Sequence, residues 1–327
     1  MLSRLSLRTV LFAAVAALAV LLIGLTIQHS VVAFRQKTTV QAIQEGNATG
    51  DLLLAAAGSW AAERGRAAAL LNAPTAASAS DIALLGQFRQ QGDSASRGAL
   101  ERLRATHSGL PELGRVESAM RQVETIRSHV DGEIVKPGDQ RTPQTAARTV
   151  AGLTALVEAS QQLRLAAELR VDNAEARIAE FQRLKHLAWV TSEFAGRERA
   201  AIAAVISGGR AISPERLDEL SRQRGNVELA WGLIDLQTAR SDTPAELKGA
   251  VERIKSGYFG EFQALRERVY KAGTTDAAYP VDASQWVSVA TKAIDEILGL
   301  NQAIGTATAT LAGETASGSR PHGWLAR

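Results

Sequence analysis

Two Glu-Arg pairs in this 327-residue sequence have the residue types needed to bind a small anion. Glu63-Arg64 and Glu198-Arg199 lie 135 positions apart, and alanines and glycines surround both pairs. Small neighbours let helices approach closely, so that packed helices enclose the guanidinium. A guanidinium is planar, permanently charged and forked, so it can donate two parallel N–H bonds to a small planar oxyanion. The pattern predicts a ligand site formed by Arg64 and Arg199.

A second pair of arginines, Arg89 and Arg224, keeps the same separation, and each follows a stripe of apolar residues. A buried arginine needs a partner. We predict that Glu63 and Glu198 are these partners and act as supporting residues, which leaves the first two arginines for the ligand. The competing interpretation is that every one of these arginines is a surface residue or half of a salt bridge, and that duplication alone preserved the pattern.

The composition favours helices as the elements that position these side chains. Aromatic residues make up 5% of the chain, alanine is abundant, and glycine and proline are sparse outside a few punctuation points. Runs of β-branched and aromatic residues, which strands prefer, are missing. We predict an all-α fold: an N-terminal transmembrane helix followed by two pseudo-repeated up-and-down helical bundles that share long helices.

The N-terminal region contains a run of apolar residues long enough to cross a membrane. After a tail at residues 1–8, residues 9–34 contain no Asp, Glu, Lys or Arg. At ~1.5 Å per residue, this length spans a hydrocarbon core of ~30 Å. A cleavable signal peptide is the competing interpretation, but its apolar region would be shorter and a cleavage site should follow. We predict an uncleaved, single-pass anchor with an exported main domain.

The remainder is predicted to divide into two helical halves of one domain, at residues 35–142 and 143–312, and a disordered tail at 313–327. The segment from Val135 to Pro143 is the clearest linker, because it combines two prolines with Gly138 and Asp139. Residues 144–207 contain no strong breaker and are expected to form one helical run. Gly92-Asp93-Ser94 is expected to be a turn between two shorter helices.

Several functional classes find no support in the sequence. There is no cysteine, and none of the five histidines is spaced with another histidine or a carboxylate as metal ligands are. No glycine-rich phosphate loop follows a strand. The net charge of +3 is too small for a nucleic-acid interface, and no basic stripe is interleaved with aromatics. We expect no enzymatic activity, cofactor, metal or nucleic-acid partner.

The two arginine motifs resemble those of the nitrate- and nitrite-sensing domain, which occurs in bacterial chemoreceptors, sensor kinases and antiterminators. The resemblance rests on residues 60–72 and 193–200. A later stretch, residues 279–295, is similar to the extracytoplasmic region of methyl-accepting chemotaxis receptors. The resemblance implies an all-α domain of two bundles that senses nitrate or nitrite through paired arginines, here Arg64 and Arg199.

The resemblance also implies a homodimer in the inner membrane whose periplasmic domain serves chemotaxis-type signal transduction. The chain departs from the receptor pattern because no second apolar span, linker module or methylated hairpin follows the sensor. Two interpretations stay open: a truncated receptor, or a membrane-tethered sensor that works through a partner. The alternative function is a ligand-free helical scaffold or protein-binding module.

Overall fold

In the computed structural model, which describes residues 7–168 and 176–317, every regular element is a helix. The longest, α1 and α9, lie nearest the two ends of the chain, and a π-helical turn separates α7 from α8. The elements are α1 (Leu7–Asn72), α2 (Ala79–His107), α3 (Pro111–Ile134), a 3₁₀ turn (Gly138–Gln140), α4 (Thr145–Glu168), α5 (Ala176–Ser207), α6 (Pro214–Thr238), α7 (Ala245–Ser256), the π-helical turn (Gly257–Phe262), α8 (Gln263–Thr274) and α9 (Ala283–Ser317).

The first four helices share an apolar core. Each contributes side chains at helical spacing, so that one face of every helix is removed from water. Helix α4, which the sequence analysis assigned to the second half, places its leucines in the same core as α1, α2 and α3. Members of this core are Leu53, Ala57 and Trp60 of α1, Leu100 and Leu103 of α2, Val116 and Val123 of α3, and Leu153, Leu156 and Leu163 of α4.

Helices α5 to α9 bury a second set of apolar side chains. The π-helical turn places aromatic rings in this part of the molecule, where Phe262 packs against Trp286 with ring centroids 5.2 Å apart. The carboxylate of Glu296 packs against Gly257, so a side chain at position 257 would require Glu296 to move. Fully buried members of this set include Ile202, Leu220, Val227, Ile234, Leu247, Ile254, Tyr258, Trp286 and Ile297.

Helices α1 and α5 lie side by side and run parallel, with the repeat in register. Lys185 of α5 donates a hydrogen bond of 2.5 Å to Asp51 of α1, 134 positions earlier. Arg199 lies next to Gly65, which is also 134 positions earlier. Two contacts with the same separation define a parallel pair, and this separation is one residue short of the sequence repeat. The parallel register brings equivalent positions of the two halves to the same level.

Two expectations about helix continuity were wrong. Arg197 forms a salt bridge of 2.8 Å with Glu158, whereas in one straight helix these residues would lie about 58 Å apart. Helices α4 and α5 are therefore neighbours and not one run. Conversely, α2 continues through Gly92, since the indole of Trp60 packs where a side chain would be: a Cβ at Gly92 would lie 2.6 Å from it. A glycine required by packing looks like a turn signal in the sequence.

Polar side chains define the helix ends that follow the two motifs. The guanidinium of Arg141 donates to the carbonyl oxygens of Leu70 and Leu71 in the last turn of α1, and to those of Ala73 and Thr75 just beyond it. Ser78 begins α2 with a capping box, and its repeat partner, the N-cap Ser213, begins α6.

Residues 46–308 form one unit of the chain, and the described residues outside it, 7–45 and 309–317, form another. This second unit consists of segments of α1 and α9. In the described part of the chain, none of the helices combines the length and the apolar character that crossing a bilayer requires. The predicted tail at 313–327 begins within α9, and residues 318–327 lie outside the described residues.

Candidate functional site

Arg64 of α1 is buried and has hydrogen-bond partners on α4 and α5. Its side chain is 2% exposed. Two of its nitrogens bind the carboxylate of Glu193, with Nη1–Oε1 and Nη2–Oε2 distances of 2.7 and 3.2 Å. Nη1 also donates to the hydroxyl of Thr154 at 3.1 Å. This is a forked guanidinium–carboxylate pair of the strong, directional kind.

Arg199 has a different set of partners. Its Nη1 donates to the hydroxyl of Thr291 at 2.8 Å. Its Nη2 lies against Gly65, where a Cβ would be 3.5 Å away. Within residues 7–168 and 176–317, no carboxylate forms a salt bridge with Arg199. This guanidinium therefore remains the less neutralised of the two.

The hydroxyl partners repeat the relation between the two halves. Thr154 belongs to α4, the fourth helix of the first group, and Thr291 belongs to α9, the last helix of the second group. Because each hydroxyl accepts an N–H bond from its arginine, its own hydrogen can be donated to another acceptor. The two arginines lie where α1 and α5 meet, and each has a hydroxyl partner from a further helix.

Charges on the described side chains favour an anion beside Arg199. Burial, and after it the positive charge of Arg64, lowers the pKa of Arg199 below its ordinary value, while Asp295 and Glu193 oppose this shift. Burial raises the pKa of Glu193, but the charges and hydrogen bonds of Arg64 and Arg197 outweigh burial and bring that pKa below its ordinary value. A partly buried cation whose pKa is lowered by another cation is stabilised by any anion that binds next to it.

Glu63 holds two arginines. Arg89 donates to its Oε1 from Nε at 3.0 Å. Arg127 donates from Nε at 2.8 Å and from Nη2 at 2.7 Å. Glu63 is 1% exposed. It therefore orders α1, α2 and α3 around the first motif, and Arg89 has the partner that the sequence suggested.

In the second half the geometry of the supporting residues differs from the expectation. Glu198 accepts hydrogen bonds from Nε of Arg266 at 2.5 Å and from the hydroxyl of Tyr270 at 2.6 Å. Arg224 does not reach it. Instead, Arg224 binds Glu228 at 2.6 Å, and its guanidinium lies 5.3 Å from the ring centroid of Phe259. The pairing of Arg224 with Glu198 was wrong, because the aromatic residues of the π-helical turn hold Arg224 near their rings.

Three residues of this site escaped the sequence analysis as candidates: Glu193, Thr154 and Thr291. Glu193 stands one helical turn before Arg197, a spacing that predicts an ordinary surface ion pair. Thr154 and Thr291 lie 137 positions apart and not 135, so the repeat does not align them. No local signal distinguishes them from other threonines on helix faces.

Comparison with known proteins identifies the domain. The family model for nitrate and nitrite sensing, NIT, matches residues 55–309, which is more than half of the chain. A search among curated proteins gives no match. Among solved structures, the NasR transcription antiterminator has a similar fold, with a TM-score of 0.62 and 14% sequence identity over 90% of this chain and 76% of that one. The all-helical architecture agrees with the fold of this solved structure, and the chain belongs to the NIT family of nitrate- and nitrite-sensing domains.

Proposed function

We propose that this protein is a sensor that binds nitrate or nitrite between Arg64 and Arg199. The carrying observation is the position of Arg199: its Nη2 lies against Gly65, the residue next to Arg64, and among the described residues no carboxylate forms a salt bridge with it. A planar monoanion suits this arrangement, because the two guanidinium groups and the hydroxyl that accompanies each of them can donate hydrogen bonds to its oxygens. The matched family supports the choice of nitrate or nitrite.

The test is anion binding by the purified full-length chain in detergent. Calorimetry and thermal unfolding would compare sodium nitrate, nitrite, chloride and sulfate at constant ionic strength. We expect nitrate or nitrite to raise Tm and the other anions to do so much less. Arg64→Ala and Arg199→Ala should both abolish this stabilisation, whereas Arg222→Ala, an exposed arginine paired with Asp218, should retain it. Unchanged nitrate binding in both site variants would refute the proposal.

We further propose that the sensor is a single-pass inner-membrane protein with a periplasmic main domain that serves chemotaxis-type signalling. The uncharged run at residues 9–34 supports this proposal. Large apolar side chains of α1 that are more than half exposed, among them Leu18 at 60% and Leu22 at 61%, also support it. Exposure of such an apolar surface to water is unfavourable. The resemblance of residues 279–295 to chemotaxis receptors supports the signalling context.

The absence of cysteine makes membrane topology directly measurable. Ser241→Cys, at an exposed position, would be compared with Ser3→Cys, using a membrane-impermeant maleimide on intact cells whose outer membrane is permeabilised. We expect labelling at position 241 before lysis and at position 3 only after lysis. The opposite pattern, or recovery of both variants in a soluble fraction, contradicts a periplasmic sensor held by an N-terminal anchor.

We also propose that the sensor is a homodimer. Supporting this, α6 exposes three leucines at helical spacing, Leu229 at 68%, Leu233 at 42% and Leu236 at 71%. Exposed apolar rows of this kind often mark contact surfaces. Light scattering should give twice the monomer mass, and Leu233→Glu should reduce it.

If no small anion changes Tm and another protein co-purifies through the domain, the scaffold function is the better description.

A further inference from the structure

Glu193 occupies a position between two arginines. Its Oε1 accepts from Nη1 of Arg64 and from Nε of Arg197, both at 2.7 Å, and its Oε2 accepts from Nη2 of Arg64 at 3.2 Å. Glu193 is 4% exposed, so this carboxylate is held inside the protein. Glu193 therefore accepts the hydrogen bonds from both nitrogens of the forked edge of Arg64.

A carboxylate on this edge imitates the ligand. Carboxylate and nitrate are both planar, both carry a single negative charge, and both present two oxygens to a guanidinium fork. An external oxyanion that binds both nitrogens of this edge must therefore displace Glu193. A buried carboxylate that loses its partner is costly, by several kcal/mol, unless another cation takes it.

Arg197 provides that second cation. It lies one turn along α5 from Glu193, and it also binds the half-exposed Glu158 at 2.8 Å through Nη2. Its guanidinium rests 5.0 Å from the ring centroid of Phe194, which holds it near the site. Glu193 thus keeps a charged hydrogen-bond partner if it leaves Arg64.

We propose that Glu193 is an internal competitor for the anion site, which holds the forked edge of Arg64 and transfers to Arg197 when an oxyanion binds. This inference rests on the proposed function and adds a regulatory residue to it. The consequence is selectivity. A planar oxyanion can replace both hydrogen bonds that Glu193 accepts from Arg64, whereas a halide offers a single point of contact and competes poorly.

The test uses calorimetry on the full-length chain and on Glu193→Gln. Removing the competing charge should tighten nitrate binding by about 10-fold and should narrow the difference between nitrate and chloride. Binding that is gained only in Glu193→Gln also supports the inference. Unchanged or weaker nitrate binding overturns it, because Glu193 would then only position Arg64.

Arg197→Met provides a second test, which applies even if Glu193→Gln does not fold. Arg197→Met removes the receiving cation, so Glu193 should stay on Arg64 and nitrate should bind about 10-fold more weakly. Equal affinity in Arg197→Met and the unaltered chain overturns the transfer. Glu228→Gln, whose carboxylate is exposed and binds Arg224, is the control and should leave affinity unchanged.

The two proposals fail in different ways. If Arg199→Ala abolishes nitrate binding while Glu193→Gln and Arg197→Met leave the affinity unchanged, the sensor function stands and the competitor role is wrong. If neither the unaltered chain nor Glu193→Gln binds nitrate or nitrite, the proposed function is wrong, and the competitor role is wrong with it.

Discussion

Arg199 lies against Gly65, so the arginine of the second motif packs next to the residue that follows the arginine of the first. A Cβ at position 65 would be 3.5 Å from Nη2 of Arg199, which is an ordinary contact distance. The parallel register of α1 and α5 creates this relationship. It brings two positive groups together inside the protein, and such a pair is favourable only with anions nearby.

The first prediction concerns the stability of the protein without nitrate. Arg199→Met removes a cation that burial and the charge of Arg64 both disfavour. We expect the variant to be at least as stable as the unaltered chain in chloride buffer, and to bind nitrate at least about 10-fold more weakly. Urea unfolding with and without nitrate measures both effects. A large loss of stability in chloride would assign Arg199 a structural role.

Replacing Glu63 should have the opposite effect on stability. Glu63→Gln removes the carboxylate that Arg89 and Arg127 share, while Asp131 and Asp93 still pair with them, so we expect a loss of about 1–3 kcal/mol in the free energy of unfolding. The control is Glu117→Gln, which breaks the surface pair with Arg104 and should cost less than about 1 kcal/mol. Equal losses in the two variants would show that Glu63 does not organise the helices.

Two glycines of α2 offer a matched test of packing. Gly92→Ala should destabilise the protein by about 1–3 kcal/mol, because the new Cβ would lie 2.6 Å from the buried indole of Trp60. Gly86→Ala should stabilise it by about 0.5–1 kcal/mol, since no atom lies within 4 Å of that Cβ and alanine favours helices. Urea unfolding monitored by tryptophan fluorescence measures both. Two changes of the same sign would contradict the packing of Trp60.

Arg141 should contribute to stability through the end of α1. Arg141→Ala removes a buried guanidinium that donates to four carbonyl oxygens there, and we expect a loss of about 2–4 kcal/mol. Exchange of the neighbouring backbone amides should also become faster. Arg148→Ala, an exposed arginine of α4, should change stability by less than about 0.5 kcal/mol. A similar small change at position 141 would exclude the capping role.

His186 should make stability depend on pH. Burial, and after it the charge of Arg164, lowers the pKa of this histidine in the folded protein. The unfolded chain therefore binds the proton more readily. The contribution is fully present above the unfolded pKa of about 6.5 and is lost as the pH falls through the lower, folded pKa. The slope can reach at most about 1.4 kcal/mol per pH unit.

Urea unfolding between pH 8 and pH 5 measures this dependence. His186→Gln should flatten the part of the curve below pH 6.5, since it removes the group that titrates. A curve that keeps its full slope in the variant would assign the pH dependence to other groups, such as the carboxylates of the buried ion pairs.

The sequence alone determined the helical class, the two arginine motifs and the partner of Arg89. These features follow from local rules: composition sets helix propensity, periodicity sets the buried face, and a repeated motif remains visible wherever the chain folds it. The same local rules failed at Gly92, where a turn signal lies within a helix, and between α4 and α5, where the chain separates into two neighbouring helices.

Only the tertiary structure decided how the motifs meet. Three features depend on contacts between residues at least 90 positions apart. They are the parallel register of α1 and α5, the hydroxyl partners Thr154 and Thr291, and the salt bridge between Arg64 and Glu193. Helical periodicity does not specify which helices pack together or at what height. That choice depends on burying all the apolar faces at once, and in this protein it pairs Arg64 with Glu193 and places Arg199 beside Gly65.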